Sequence, residues 1–287
     1  MVYRTILLVL CCMAFPTGVL CNGYVLFVTG CRMERTASTV WFLNQAVSDF
    51  IFILCLPLRF IIIFISNLDW ARRLSSTITS LHMFSSTFLL TAISVHRCML
   101  TAWPEWAQKH RTASLAFWEG LCVWALSAGF SLRYGDLCEF LPSTASTSMH
   151  FPLDEGRAKV AVAIQFLVGF LIPLALIFIS IFYVIHAARL RRNHPIQATQ
   201  PLKILHSLIL SFFLGWLPYH VFYFLQLSAM HPPPLLEIGS AFACVLTYIN
   251  STLNPIFYLT MEEEFLRYQK CAHNPDTADQ SRLEPAE

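Results

Sequence analysis

Seven times along its 287 residues the chain runs apolar for long enough to cross a hydrocarbon core of about 30 Å. The runs are roughly 5–30, 39–66, 74–99, 113–134, 158–188, 202–229 and 236–260. Water does not tolerate such a chain. An ordinary soluble domain is about 25% charged, whereas this one is 13% charged and 56% hydrophobic, too little polar matter to cover its own surface. A bilayer removes that problem, and within hydrocarbon a spanning segment satisfies its own backbone only as a helix or in a closed barrel. The expected fold is an all-α membrane protein, a bundle of seven transmembrane helices. A net charge of +2 argues for no nucleic-acid partner. Most of the ten cysteines fall in apolar runs or on the inner side, where they read as small hydrophobes. The first run is too long for a cleavable signal core.

The third run, with "SSTITSLHMFSST", is the least apolar and suits the protein-lined centre of the bundle better than lipid. The connections are short, so residues 1–260 are expected to form one transmembrane domain and 261–287 a cytoplasmic tail. Loop charges set the orientation. With the N-terminus outside, the inner side carries Arg32, Arg35, Lys109, Arg111, Arg189, Arg191, Arg192, Lys203, Arg267 and Lys270. The outer side carries Arg4, Arg72, Arg73, Arg133, Arg157 and Lys159, and the excess inside favours that topology. The tail begins as a short amphipathic eighth helix, with Phe265, Leu266 and Tyr268 on membrane lipid and Cys271 a candidate for palmitoylation.

Polar side chains at membrane depth are costly and mark candidate sites. Asn22, Asp49, Ser86, Asn250 and Asn254 are of this kind. They read as hydrogen-bond glue between helices, the simpler reading, or, for Asp49, Ser86, Asn250 and Asn254, as oxygen ligands of a small hard cation such as sodium. Pro57, Pro173, Pro218 and Pro255 each remove a helix hydrogen bond and permit a kink. Arg97 closes the third run, which alone would mean a snorkelling anchor.

Taken together, "GVLCN", "LNQAVSDF", "HRC", Trp124, Pro173, "FFLGWLPYH" and "NSTLNPIFY" resemble the rhodopsin-like, class A family of G protein-coupled receptors. "WPEWAQKHRT", "GCRMERTAST" and "QPLKIL" are similar to inner segments of its chemoattractant group, which holds the formyl peptide receptors and the second prostaglandin D2 receptor. The resemblance implies a plasma-membrane receptor, not an enzyme, that couples an extracellular chemoattractant ligand to a heterotrimeric G protein. It implies that Arg97, preceded by His96, meets the G protein, and that Phe212, Pro173, Asn254, Pro255 and Tyr258 carry activation. Asp49, Ser86, Asn250 and Asn254 would form a sodium site, the one cofactor in view. Arg59, Met83, Gln165, Trp216 and His220 would line the pocket, with Arg59 supplying positive charge to a small anionic lipid or a peptide carboxylate. A snorkelling Arg59 is the competing reading.

The sequence departs from the pattern at several points. His96 stands where the family has an acid, so Arg97 lacks the neighbouring carboxylate that would hold it. Ile181 replaces a tyrosine, and Tyr183, two residues on, points to another face. Gly215 replaces a cysteine. No cysteine lies between Trp70 and Arg97, which leaves Cys138 without its expected disulfide partner. The departures suit a specialised receptor, a decoy that binds without signalling, or a degenerate receptor gene product. Other classes fare worse. A transporter would show an internal repeat, a retinal pigment would need a lysine in residues 236–260, and an intramembrane enzyme would need an arrangement that His82 and His206 do not make.

Overall fold

The computed structural model describes residues 2–64, 68–110, 112–134, 152–190, 199–228 and 234–261. The expected eighth helix, Cys138 and Cys271 lie outside them. Among the described residues all regular structure is helical, arranged as seven rods. The first is α1 (Val2–Cys31); the second is α2 (Ala37–Leu54) continued by α3 (Leu56–Phe64); the third is α4 (Asp69–Ala102). A short α5 (Pro104–His110) leads into the fourth rod, α6 (Ala113–Tyr134). The fifth is α7 (Pro152–Phe166), a π-helical turn over Leu167–Leu171, and α8 (Ile172–Leu190). The sixth and seventh are α9 (Thr199–Ser228) and α10 (Pro234–Met261). The fourth rod begins and ends where its apolar run does, and each of the others begins a few residues before its run.

Five rods are both long and apolar enough to cross a membrane, and a shorter apolar stretch, Leu210–Leu225, lies in α9. The bundle is inverted relative to a soluble protein. Leu20, Leu132 and Phe182 are more than 70% exposed, while Asn22, Gln45, Asp49, Asn250 and Asn254 are buried. The Ser- and Thr-rich third run is the centre, as its composition suggested: 67% of its span is buried, against 22% of the α6 span. It packs on α2, α6 and α8, while α1 packs on α2 and α10 and α9 packs on α10. Several of its hydroxyls are satisfied locally, Thr79 on the carbonyl of Ser75 and Ser94 on that of Leu90, both at 2.8 Å.

Local chemistry sets the breaks. Thr36 caps α2 in a reciprocal box, its hydroxyl accepting from the Thr39 amide at 3.2 Å while the Thr39 hydroxyl accepts from the Thr36 amide at 2.8 Å. Two residues before Pro57 the ladder tightens, with the Cys55 amide bonding to the Phe52 carbonyl at 3.1 Å. That turn separates α2 from α3 and re-aims the outer end that carries Arg59. Pro173 stands two residues after the π-helical turn, whose carbonyls it leaves with one donor fewer. Pro218 and Pro255 lie inside α9 and α10, and Pro16 inside α1 is a further internal proline that the four named above omitted.

The glycine at position 215 has a steric reason. A Cβ there would meet the Asn250 Cβ at 2.8 Å and its Cγ at 3.1 Å, so α9 and α10 approach closely only because the side chain is absent. The family's cysteine does not fit. Gly215→Cys is expected to cost about 1–3 kcal/mol of overpacking and to lower the thermal midpoint of the purified receptor; an unchanged midpoint would mean that the two helices separate freely.

Candidate functional site

Two polar zones and one His–Glu pair near the C-terminal end of α4 emerge from this packing. The first zone lies at mid-membrane. The Asp49 carboxylate accepts from Asn254 Nδ2 at 3.1 and 3.4 Å and from Gln45 Nε2 at 3.4 Å. Gln45 Nε2 also donates to Ser86 Oγ at 2.6 Å. Three of the four candidate cation residues are therefore linked, Ser86 through Gln45. Asn250 is engaged elsewhere, its Oδ1 accepting from Ser211 of α9. On the other flank His82 Nδ1 lies 3.1 Å from Ser48 Oγ, and its Nε2 lies 2.9 Å from Ser251 Oγ and 3.7 Å from Asp49 Oδ1. Asn22 ties α1 to this zone through the Ser251 carbonyl at 3.1 Å. Beside it, Trp124 Nε1 donates to Asn44 Oδ1 at 2.9 Å and joins α6 to α2.

The second zone lies beside it, around Trp216. Trp216 is fully buried and is ringed by Phe52, His82, Tyr219 and His220, with the Tyr219 ring 5.6 Å away. His220 is also buried, against Phe166 and Phe170. Gln165 Nε2 reaches Ser80 Oγ at 3.3 Å and Met83 Sδ at 3.7 Å. Met83, Gln165, Trp216 and His220 are thus brought together from three rods. Arg59 approaches from the opposite wall, its guanidinium facing Tyr219 of α9 and Cys244 and Tyr248 of α10. Four buried polar atoms here lack a well-formed hydrogen bond among the described residues, Arg59 Nε, Trp216 Nε1, His220 Nε2 and the Tyr248 hydroxyl, although the Tyr248 hydroxyl lies within reach of the Arg59 guanidinium. Buried donors are ordinarily satisfied, and such a concentration of unsatisfied ones needs a cause.

Near the C-terminal end of α4, His96 Nε2 lies 2.8 Å from Glu119 Oε2 on α6. The histidine in place of an acid does not leave the region without a carboxylate; it draws one from the neighbouring helix. The pair lies in the wall of an otherwise apolar groove of about 630 Å³ between α4, α5 and α6, lined by Trp106, Leu115, Trp118 and Val123. Arg97 is half-buried beside Ser38, Phe42, Ile93 and Leu100. Phe212 is buried and stacks on Phe170 of the π-helical turn at 5.3 Å, next to buried Pro173. Ile181 is buried and Tyr183 is 43% exposed, on different faces as the helical period requires. Pro255 is buried within α10. The Tyr258 side chain lies outside the described residues, as does Lys203.

Sequence reasoning missed Gln45, Ser48, His82, Ser251 and Glu119 as members of these sites. A helical-spacing signal existed for two: Gln45 stands four residues before Asp49, and His82 four before Ser86, so each shares its neighbour's helix face. Glu119 was legible as the one carboxylate in the fourth apolar run. Nothing in the sequence pairs it with His96.

Residues 21–258 match the 7 transmembrane receptor (rhodopsin family). The chain is 35% identical to chemerin-like receptor 1 of Bos taurus, over 88% of this chain and 76% of that one. It is 33% identical to a C3a anaphylatoxin chemotactic receptor of Danio rerio, over 91% and 73%. It is 32% identical to N-formyl peptide receptor 3 of Homo sapiens, over 88% and 77%.

Proposed function

Since the chain belongs to the rhodopsin family of seven-transmembrane receptors and is a G protein-coupled receptor of chemoattractant type, we propose that it takes an anionic ligand in the outer half of its bundle. The receptor sits in the plasma membrane with its N-terminus outside, the orientation that loop charges favour. Arg59 meets the ligand's carboxylate, and Arg97 meets the heterotrimeric G protein.

The observation that carries this reading is the group of buried polar atoms without a well-formed hydrogen bond, Arg59 Nε, Trp216 Nε1, His220 Nε2 and the Tyr248 hydroxyl. All belong to side chains that can donate a hydrogen bond, and Arg59 adds a positive charge. An acid ligand satisfies several of them at once by charge-assisted bonds. A snorkelling arginine would turn out towards the headgroups; Arg59 turns in, towards α9 and α10. Among anionic ligands, the name of one relative, N-formyl peptide receptor 3, favours a peptide carboxylate over a lipid one. A decoy is the second reading, supported by Ile181 buried where the family carries a tyrosine.

The test uses the receptor with epitope tags at both ends. The N-terminal tag is expected to be reached in intact cells and the C-terminal tag only after permeabilisation; the reverse would overturn the orientation. Peptides with a free C-terminal carboxylate should then activate G protein in membranes, and their amidated forms should do so weakly. Binding without activation would support the decoy, and binding of neither form would sink the anionic-ligand reading.

A further inference from the structure

The mid-membrane zone does not fit the sodium ion that the family resemblance implied. A hard cation needs a shell of oxygen ligands. Here most of the oxygens are engaged or covered, with Gln45 Oε1 and Asn22 Oδ1 the two buried oxygens of the zone that lack a partner among the described residues. Asp49 is coated by nitrogen donors, Asn254 Nδ2 on both oxygens and Gln45 Nε2 on one. Gln45 gives its nitrogen, not its oxygen, to Ser86 as well. The Asn250 carboxamide oxygen takes the Ser211 hydroxyl. Two further hydroxyls, Ser48 and Ser251, are held by the imidazole of His82.

The geometry points to His82 as a built-in occupant of this pocket, standing where a sodium ion would otherwise be required. The ring is buried and stacks on Phe52 at 4.1 Å with a 9° tilt. It bridges α2 and α10 through Ser48 and Ser251 and closes on Asp49 Oδ1 at 3.7 Å. It also contacts Trp216, the floor of the second zone, at 5.8 Å. A diffusible ion that prefers one conformation shifts a receptor's equilibrium in proportion to its differential affinity. A tethered imidazole cannot leave, so this receptor's balance between states is indifferent to sodium.

The experiment follows thermal unfolding of the purified full-length receptor in sodium chloride and in choline chloride at equal ionic strength. Anything bound only by the folded state raises the midpoint with its concentration. The wild-type midpoint is expected to be the same in both salts. His82→Ala and His82→Asn empty the pocket, and each is expected to acquire a saturable, sodium-specific rise of a few degrees that Asp49→Asn then removes. A sodium-specific rise in the wild type overturns the proposal whatever the variants do. Folded variants that stay indifferent overturn the role of His82. The wild-type series requires no variant, so poor folding of the variants does not leave the question open. None of these readouts involves ligand or G protein, so the result is separate from the signalling reading above.

Discussion

Arg59→Ala is expected to weaken binding of a carboxylate ligand by roughly thirty- to several-thousandfold, and to change binding of its amide analogue little. Removing one partner of a buried, hydrogen-bonded charge pair costs about 2–5 kcal/mol, and each ~1.4 kcal/mol is tenfold in affinity. The amide carries no charge to lose. Arg59→Lys should fall between, because an ammonium keeps the charge but not the planar fork that grips a carboxylate at two points. The empty receptor should respond in the opposite sense. In the empty pocket Arg59 faces the Tyr248 hydroxyl rather than a carboxylate, and a desolvated cation so placed adds little stability, so ligand-free Arg59→Ala should unfold no lower than wild type, and ligand should protect it less. Competition binding with the acid and its amide, beside thermal midpoints with and without ligand, checks both arms. Equal loss for acid and amide, or none, would place Arg59 at the lipid headgroups.

The second large effect concerns the cytoplasmic end. In a background that signals, replacing His96 by Asp while neutralising Glu119 is expected to lower basal activity about two- to thirtyfold. The new carboxylate adjoins Arg97, and at a partly exposed site such a pair contributes about 0.5–2 kcal/mol towards the resting state. A two-state receptor converts that energy directly into a population ratio. The double substitution is necessary because His96 is bonded to Glu119 at 2.8 Å. His96→Asp alone would set two carboxylates against each other and strand Glu119 without its partner. The background is Ile181→Tyr, since Ile181 occupies the core where the family's activating tyrosine would sit. Constitutive G protein activation at matched surface levels is the measurement, with Glu119→Gln alone as control. Unchanged basal activity in a signalling background would show that the missing acid does not set the resting state. Silence in every background would favour the decoy.

Much was legible in the sequence because hydrocarbon leaves a chain few options. Apolar length alone yields the rods, since a spanning segment satisfies its backbone internally, and the described ends of α6 fall where the fourth run ends. The central place of α4 followed from its serines and threonines, which lipid would leave poorly placed. The face change between Ile181 and Tyr183 followed from helical period. Tertiary structure decided the partners. Which residue Asn250 bonds, which acid His96 draws and what stands beside Asp49 depend on how separate helices are rotated and how closely they approach. Gly215 shows the reason: one absent Cβ lets α9 reach α10 closely enough for Ser211 to take the Asn250 oxygen. Period and composition fix the face each residue occupies on its own helix. Only the packed bundle brings His82, Ser48, Ser251 and Asp49 together from α2, α4 and α10.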